Sequence, residues 1–248
     1  MRTFIISLIL FCSQSLSAQP VLVAVAANMK EAFTEISALY KASNKSDFRV
    51  VYGSSGNFTA QIMNGAPFKL FISADEHFPI ELYKQGKTMN EGSIYAIGKL
   101  AFISNKSSNK TSTKTNADIA KLISKANKIA IAKPDLAPYG KAAIEYLKAE
   151  GLWDLAKDKL IYADNIGVAT MYVTSGAADV GFTALSLAST NEVAKETSYI
   201  VLDSKQYQPI TQRMILMKGA PKEAIDLYQF MQGSQAKGIL QKFGYTTP

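Results

Sequence analysis

The chain has 248 residues, which is enough for one large domain or two of moderate size. Its 27 basic and 20 acidic residues give a net charge of +7, which attracts anions over long range. No basic stripe interleaves with aromatic residues, so we expect no nucleic-acid partner. With one histidine and one cysteine the chain is poorly supplied for a transition-metal site, and we expect no cofactor.

The N-terminus has the zones of a secretory signal peptide. An early arginine precedes the apolar run Phe4 to Cys12, which is too short to span a membrane permanently, and small residues follow up to Ala18. We therefore expect cleavage after Ala18 or Ser17 and a periplasmic product. Cleavage removes Cys12, so the mature chain has no thiol for a disulfide, a nucleophile or a metal. A lipid anchor on this cysteine is disfavoured because bulky Phe11 precedes it.

Short apolar strands and amphipathic helices alternate over the first part of the mature chain. Val21 to Ala26 is a continuous apolar run, typical of a strand buried on both faces, and Asn28 follows at the expected N-cap of a helix. Arg49 to Tyr52 and Phe68 to Ile72 predict two more strands, each followed by a helix. This alternation predicts a parallel sheet whose ligand crevice lies at the carboxyl ends of the strands.

The sequence Gly-Ser-Ser-Gly at residues 53–56 connects the second strand to a helix predicted at Asn57 to Asn64. The glycines allow a close backbone approach, and Ser54 and Ser55 place hydroxyls beside the unpaired N–H groups of the helix start. Such a helix terminus attracts an anion. The alternative interpretation is a simple turn with a serine N-cap.

The alternation starts again after a long extended run, Ile94 to Ser104, and a polar loop. In this second series the turn Pro138-Tyr139-Gly140 precedes a helix, and Asp164-Asn165-Ile166 begins another helix whose N–H groups are a further candidate anion site. The tail adds an extended run at Ile210 to Lys218 and two helices, which we assign back to the first domain.

The sequence therefore predicts two α/β domains, each a mostly parallel sheet flanked by helices, with a ligand cleft between two sets of strand ends. The expected limits are residues 1–18 for the signal peptide, residues 19–100 and 205–248 for a discontinuous domain I, and residues 101–204 for domain II.

The side chains predicted at these strand ends are neutral donors, namely Asn28, Ser54, Ser55 and Tyr139. A fully ionised tetrahedral oxyanion needs donors and no acceptor, and helix dipoles with charge-assisted hydrogen bonds supply the electrostatics. Asp164 is the nearest carboxylate, and it leaves a protonated anion such as hydrogen phosphate open. Asn28 as a cap only, and Tyr139 as core packing only, are the simpler alternatives.

Evidence for an enzyme is weak. His77, the sole histidine, stands at a predicted helix start, where a solvated surface position is the simpler interpretation. The Gly-Ser-Ser-Gly turn also lacks the spacing of a nucleophile elbow. We expect no catalytic residues, and a secreted serine-dependent α/β hydrolase remains the alternative of a different class.

Several motifs together resemble the periplasmic molybdate-binding proteins of ABC transporters, the ModA type. These motifs span essentially the whole mature chain and are Val23 to Met29, Gly53 to Gly56, Asn64 to Phe68, Phe71 to Asp75, Ala137 to Ala143, Gly151 to Trp153, Asp164 to Ile166, and Lys242 to Tyr245. The resemblance implies a type II periplasmic-binding-protein fold of two domains that closes on molybdate or tungstate. It also implies a monomer that delivers the oxyanion to a membrane ABC permease. A receptor for another oxyanion, such as sulfate, is the alternative within this class.

The resemblance also implies a set of binding residues. Carried over by matching motif, these are Ala27 and Asn28, Ser54 and Ser55, Tyr139, and Ile166. Molybdenum would be present only as the oxyanion, without direct protein ligands. Members with serine at the first position often use a tyrosine in a later strand-end motif. Here that motif reads Gly181-Phe182-Thr183-Ala184, so the phenol is expected at Tyr139 instead.

Overall fold

A computed structural model of the chain describes residues 20–44, 47–107 and 115–248. The predicted signal peptide lies outside these described residues, and so do residues 108–114 of the predicted polar loop. Within the described ranges, no helix combines the length and the apolar character needed to cross a membrane.

Strands and helices alternate along most of the described chain. The strands are β1 Val21–Ala26, β2 Phe48–Gly53, β3 Phe68–Ile72, β4 Ser93–Gly98, β5 Leu100–Asn105, β6 Ile129–Ala132, β7 Leu160–Ala163, β8 Val180–Ala184, β9 Thr197–Val201 and β10 Ile210–Leu216. The helices are α1 Lys30–Ser43, α2 Ser55–Met63, α3 His77–Lys84, α4 Asn116–Lys125, α5 Pro138–Ala149, α6 Trp153–Ala156, α7 Ile166–Thr174, α8 Leu185–Ala188, α9 Asn191–Glu196, α10 Lys222–Gln232 and α11 Ser234–Lys242. Short 3-10 turns occur at Ala27–Met29, Lys157–Lys159 and Ser204–Gln206.

The strands form two five-stranded sheets with the same arrangement. The order is β2-β1-β3-β10-β4 in the first sheet and β7-β6-β8-β5-β9 in the second. In each sheet the first three strands are mutually parallel, and the fourth is antiparallel to both of its neighbours. The predicted α/β class, with helices flanking the sheets, is therefore confirmed, and each sheet is mixed, with two parallel and two antiparallel pairings.

The long extended run predicted from Ile94 to Ser104 is two strands. β4 ends at Gly98, β5 begins at Leu100, and Lys99 alone separates them, yet the two strands lie in different sheets. The chain thus passes from the first sheet to the second at this point. It returns after β9, because β10 pairs with β3 and β4.

Three predicted helix starts differ from the structure. The helix predicted from Asn57 begins at Ser55, because Ser54 caps it. Asn28 is not an N-cap; it lies inside the 3-10 turn that precedes α1 and makes no capping bond, because tertiary hydrogen bonds hold its side chain. Tyr139 is not in a turn ahead of a later helix. It lies in the first turn of α5, because Pro138 occupies the first helical position, where its fixed φ fits and its missing N–H costs nothing.

Helices cover both faces of the sheets. In the first sheet the central strand β1 is buried almost throughout, as its unbroken apolar sequence predicts. Phe33 and Ile36 of α1 pack on one face, and Phe58 of α2 packs with Phe71 of β3 on the other. The core of the second sheet also includes Ala27 from the first half of the chain, so the two halves are in contact beside the strand ends.

Candidate functional site

Four helix starts meet in one small cavity between the two sheets. The turn before α1 and the start of α2 follow strands of the first sheet, and the starts of α5 and α7 follow strands of the second. The cavity has a volume of about 10 Å³, close to the space that one water molecule needs. All six of the predicted site residues contribute to its lining, namely Ala27, Asn28, Ser54, Ser55, Tyr139 and Ile166.

Backbone donors are concentrated at this cavity. Ser55, Tyr139 and Ile166 occupy the first turns of α2, α5 and α7. The N–H groups of a first turn have no intrahelical partner and carry the positive end of the helix dipole. The N-termini of three helices, one following a strand of the first sheet and two following strands of the second, therefore make the cavity electrically positive without any charged side chain.

The Ser55 hydroxyl is held with its hydrogen free. Its side chain is buried, and Oγ accepts a hydrogen bond from the N–H of Ala74 at 3.0 Å. A hydroxyl oxygen that accepts one bond still has its own hydrogen to donate. Ser54 plays a different part, because its Oγ accepts from the N–H of Asn57 at 3.4 Å and caps α2. The pair therefore combines one helix cap with one free donor.

Asn28 is buried and is held by several tertiary bonds. Its Nδ2 donates to Oε1 of Gln212 at 3.0 Å and to the hydroxyl of Tyr245 at 2.8 Å. Its backbone oxygen accepts from the hydroxyls of Ser186 at 2.8 Å and Tyr245 at 2.9 Å. The remaining side-chain atom, Oδ1, is buried and has no hydrogen-bond partner among the described residues. Because Asn28 lines the cavity, this end of its amide is the one left for a ligand.

Tyr139 connects the two sheets. Its ring is buried, and its hydroxyl accepts from Nε2 of Gln212, on β10 of the first sheet, at 3.1 Å. Gly98 makes room for this contact: a Cβ at this position would lie 2.1 Å from the Tyr139 hydroxyl oxygen and 2.6 Å from Gln212 Nε2. The chain therefore has a glycine where it leaves the first sheet, and the phenol occupies the space.

No charged side chain occurs among the described residues that line the cavity. Asp164, the carboxylate nearest in sequence, pairs with Lys133 at 2.6 Å, and its side chain is 68% exposed. Its neighbour Asn165 caps α7 by accepting from the N–H of Val168 at 3.0 Å. The cavity lining therefore offers an anion several donors and no carboxylate.

Direct bonds join the two halves of the molecule around the cavity. The N–H of Gly56 in α2 donates to the carbonyl of Leu136, just before α5, at 2.9 Å. The Ser186 hydroxyl donates to the Asn28 carbonyl at 2.8 Å. The closed arrangement of the two sheets is thus held in part by backbone groups of Gly56, Leu136 and Asn28.

Burial keeps the phenols near the cavity neutral. It raises the pKa of Tyr139 and that of Tyr95 well above their usual value, and it raises the pKa of Tyr245 to about 12. These hydroxyls therefore remain protonated at physiological pH, and the hydrogen-bonding pattern of the site does not change with pH in that range.

The site residues do not form a nucleophile and base pair. His77 begins α3 with its side chain 75% exposed, 3.9 Å from Glu81, and it does not contribute to the cavity lining. The Ser55 oxygen contacts a backbone N–H instead of a base.

Four residues that support Asn28 were not predicted from the sequence. Gln212, Tyr245, Ser186 and Tyr95 are all buried and hydrogen-bonded in one network with it. Gln212 could have been noticed, because it shares the buried face of its strand with Ile210 and Met214. A lone amide on the apolar face of a strand needs polar partners, which signals a site.

This fold, with a donor-lined cavity between two sheets, defines a solute-binding protein, and the comparisons with known proteins agree. The family model described as bacterial extracellular solute-binding protein matches residues 21–246, and the chain belongs to this family. It is 34% identical over 236 residues to the molybdate-binding protein ModA of Rhodobacter capsulatus, covering 93% of this chain and 90% of that protein. It is 33% identical over 234 residues to ModA of Azotobacter vinelandii, covering 92% and 90%.

The fold comparison gives the same answer. The solved structure of the Azotobacter vinelandii periplasmic molybdate-binding protein superposes with a TM-score of 0.84 at 30% identity, covering 92% of this chain and 99% of that one. The resemblance and the two-domain periplasmic-binding-protein fold are thus confirmed. Because these relatives are binding proteins, the expectation that the chain is not an enzyme is confirmed as well.

Proposed function

We propose that this protein captures molybdate or tungstate in the periplasm and delivers the oxyanion to a membrane ABC permease. The ModA relatives bind molybdate, and the solved relative is a periplasmic protein. The positive net charge of the chain favours the approach of an anion before specific contacts form.

The observation that carries this proposal is the cavity formed by neutral donors. An anion that keeps a proton, such as hydrogen phosphate, needs an acceptor for that proton, and the described lining has no carboxylate. A fully ionised dianion needs only donors, which the helix starts and the Ser55 hydroxyl supply. The nearest sequence candidate for an acceptor, Asp164, is paired with Lys133 at the surface.

Each residue has a specific proposed role. The Ser55 hydroxyl donates to one oxygen of the anion, and the N–H groups of Ser55, Tyr139 and Ile166 donate to others. Asn28 contributes through the free end of its amide. Ala27 and Ser54 shape the wall, and Ser54 keeps α2 aligned as its cap. Molybdenum is the centre of the cargo and has no protein ligand.

The proposed domain limits are residues 19–100 and 205–248 for domain I and residues 101–204 for domain II. Sheet membership supports them, apart from Leu100, which begins β5 of the second sheet. Removal of residues 1–18 on export would leave a monomer, as the resemblance to the ModA family implies. The permease would then recognise the closed form of the two domains.

Titration calorimetry of the purified mature protein tests the function. We expect saturable binding of one molybdate per chain, competition by tungstate, and no binding of phosphate. Sulfate distinguishes the receptor classes: tight sulfate binding with weak molybdate binding would replace the proposal by a sulfate receptor. Turnover of a generic phosphate or carboxylate ester, without anion binding, would instead support a hydrolase.

A further inference from the structure

Gln212 lies at the centre of a buried network behind the cavity. Its Oε1 is 2.7 Å from the Tyr95 hydroxyl and 3.0 Å from Nδ2 of Asn28, and its Nε2 is 3.1 Å from the Tyr139 hydroxyl. Tyr95 also lies 2.8 Å from the carbonyl oxygen of Ser73. Gln212 itself is fully buried, so these protein groups must satisfy its amide.

The hydrogens in this network allow two orientations of the Gln212 amide. Tyr95 has one hydroxyl hydrogen, but two pure acceptors face it if Oε1 is on its side: Gln212 Oε1 and the Ser73 carbonyl. One buried contact would then lack a hydrogen, which is costly. The amide oxygen and nitrogen of a glutamine have nearly the same shape, so Oε1 and Nε2 of Gln212 can exchange places while every other heavy atom stays where it is. Its NH₂ group then donates to Tyr95, and Tyr95 donates to Ser73.

The orientation of Gln212 determines that of Asn28. With its NH₂ group facing Asn28, Gln212 needs an acceptor there, so Asn28 presents Oδ1 to it and to the Tyr245 hydroxyl. The single Tyr245 hydrogen then goes to Oδ1, and the Asn28 carbonyl keeps only the Ser186 donor. The two orientations are therefore balanced within the protein, and a bound anion favours the one that turns the Asn28 NH₂ group to the cavity. The Asn28 NH₂ group then takes the position that has no partner among the described residues, beside the cavity. The Tyr139 hydroxyl donates to Gln212 Oε1, so Tyr139 offers the anion only its backbone N–H.

We propose that Gln212 is a positioning residue for the anion site: it fixes Asn28 so that N–H groups, and not an oxygen, face the cavity. This inference rests on the proposed function, because it matters which end of the Asn28 amide faces the cavity, NH₂ or Oδ1, only if an anion binds there. An amide oxygen would repel a dianion, whereas an N–H group forms a charge-assisted hydrogen bond with it. Gln212 itself does not contribute to the cavity lining.

A double-mutant cycle for molybdate affinity tests this role. Gln212→Met keeps the length of the side chain but cannot orient an amide, and Asn28→Ala removes the group that is oriented. By calorimetry we expect Gln212→Met to raise the Kd about 10-fold in the otherwise native protein, the value of a lost hydrogen bond to a charged group. In the Asn28→Ala background the same change should raise the Kd by less than about 2-fold, because the two residues act as one unit.

Tyr95→Phe is the second variant, and it carries the test if Gln212→Met does not fold. It removes the hydroxyl that favours the Gln212 orientation with NH₂ facing Asn28, and Tyr95 does not line the cavity, so this variant should also raise the Kd only while Asn28 is present. An equal increase of the molybdate Kd with and without Asn28, or no increase in either background, would overturn the inference. The proposed function would still stand as long as the native protein binds molybdate. If the native protein itself fails to bind molybdate, the proposed function falls, and the inference falls with it.

Discussion

Gly56→Ala should separate ligand affinity from folding stability. The Gly56 N–H donates to the Leu136 carbonyl of the other domain, and a Cβ on Gly56 would lie 2.9 Å from Leu136 Cα and 2.9 Å from the Phe78 ring. The phenylalanine ring can turn aside, but backbone cannot. Alanine at this position therefore opposes closure of the two domains without disturbing either domain alone.

The expected size of the effect follows from two terms. Overpacking in a tight contact costs about 1–3 kcal/mol, and loss of one hydrogen bond costs about 0.5–1.5 kcal/mol. Both apply only to the closed state, so together they reduce molybdate affinity by roughly 10- to 2,000-fold. Gly56 lies within α2 and does not have a left-handed backbone, so alanine should leave the ligand-free protein as stable or more stable, by up to about 1 kcal/mol.

Gly238→Ala is the matched control. Gly238 is also inside a helix, α11, does not have a left-handed backbone either, and has nothing within 4 Å of a Cβ. It should give the same stability gain with unchanged affinity. Titration calorimetry measures the affinities, and urea unfolding without ligand measures the stabilities. Gly56→Ala binding molybdate as tightly as Gly238→Ala would refute the claim that the anion is held in this closed state.

Three further predictions concern the donors and the ligand. Ser55→Ala should cost about 1.5–3 kcal/mol of molybdate affinity, and also about 1–3 kcal/mol of stability because the Ala74 N–H loses its acceptor. Ser54→Ala should cost only stability, about 0.5–2 kcal/mol, because α2 loses its cap. Calorimetry measures the affinities and urea unfolding the stabilities, and equal affinity losses in the two variants would contradict the assignment. Burial raises the pKa of Tyr245 to about 12, above its unfolded value of about 10. The unfolded chain therefore loses this proton first, so the melting temperature should fall as pH rises from about 10 to about 12. The molybdate affinity should stay constant between about pH 7 and pH 9, and a large change of affinity in that range would contradict neutral donors. Molybdate at 100 times its Kd should add about 2.7 kcal/mol to the free energy of unfolding, and an unchanged melting curve at that concentration would contradict specific binding.

The sequence predicts the strands and turns of this site well because local signals determine them. The apolar run of β1 and the glycine-serine turn before α2 each place a helix start at a strand end, and parallel strands bring those ends together. The helix start at Tyr139 was predicted less well, because Pro138 can begin a helix as readily as it can form a turn.

The supporting network could not be predicted from local signals. Tyr245 and Asn28 are 217 residues apart in the chain, and Gln212 and Asn28 are 184 apart, so only the completed fold brings them into contact. The Asn28 cap was predicted wrongly for the same reason. An asparagine after a strand favours an N-cap locally, but several buried tertiary bonds outweigh one exposed capping bond.

A crystal structure of the protein with molybdate tests the central claim most directly, because anomalous scattering from molybdenum locates the ion independently of the protein. We predict molybdenum in the cavity at the starts of α2, α5 and α7. Its oxygen atoms should lie about 2.7–3.2 Å from the Ser55 hydroxyl and from the backbone nitrogens of Tyr139 and Ile166. Molybdenum bound instead at surface lysines, or in contact with a carboxylate such as Asp164, would contradict the account.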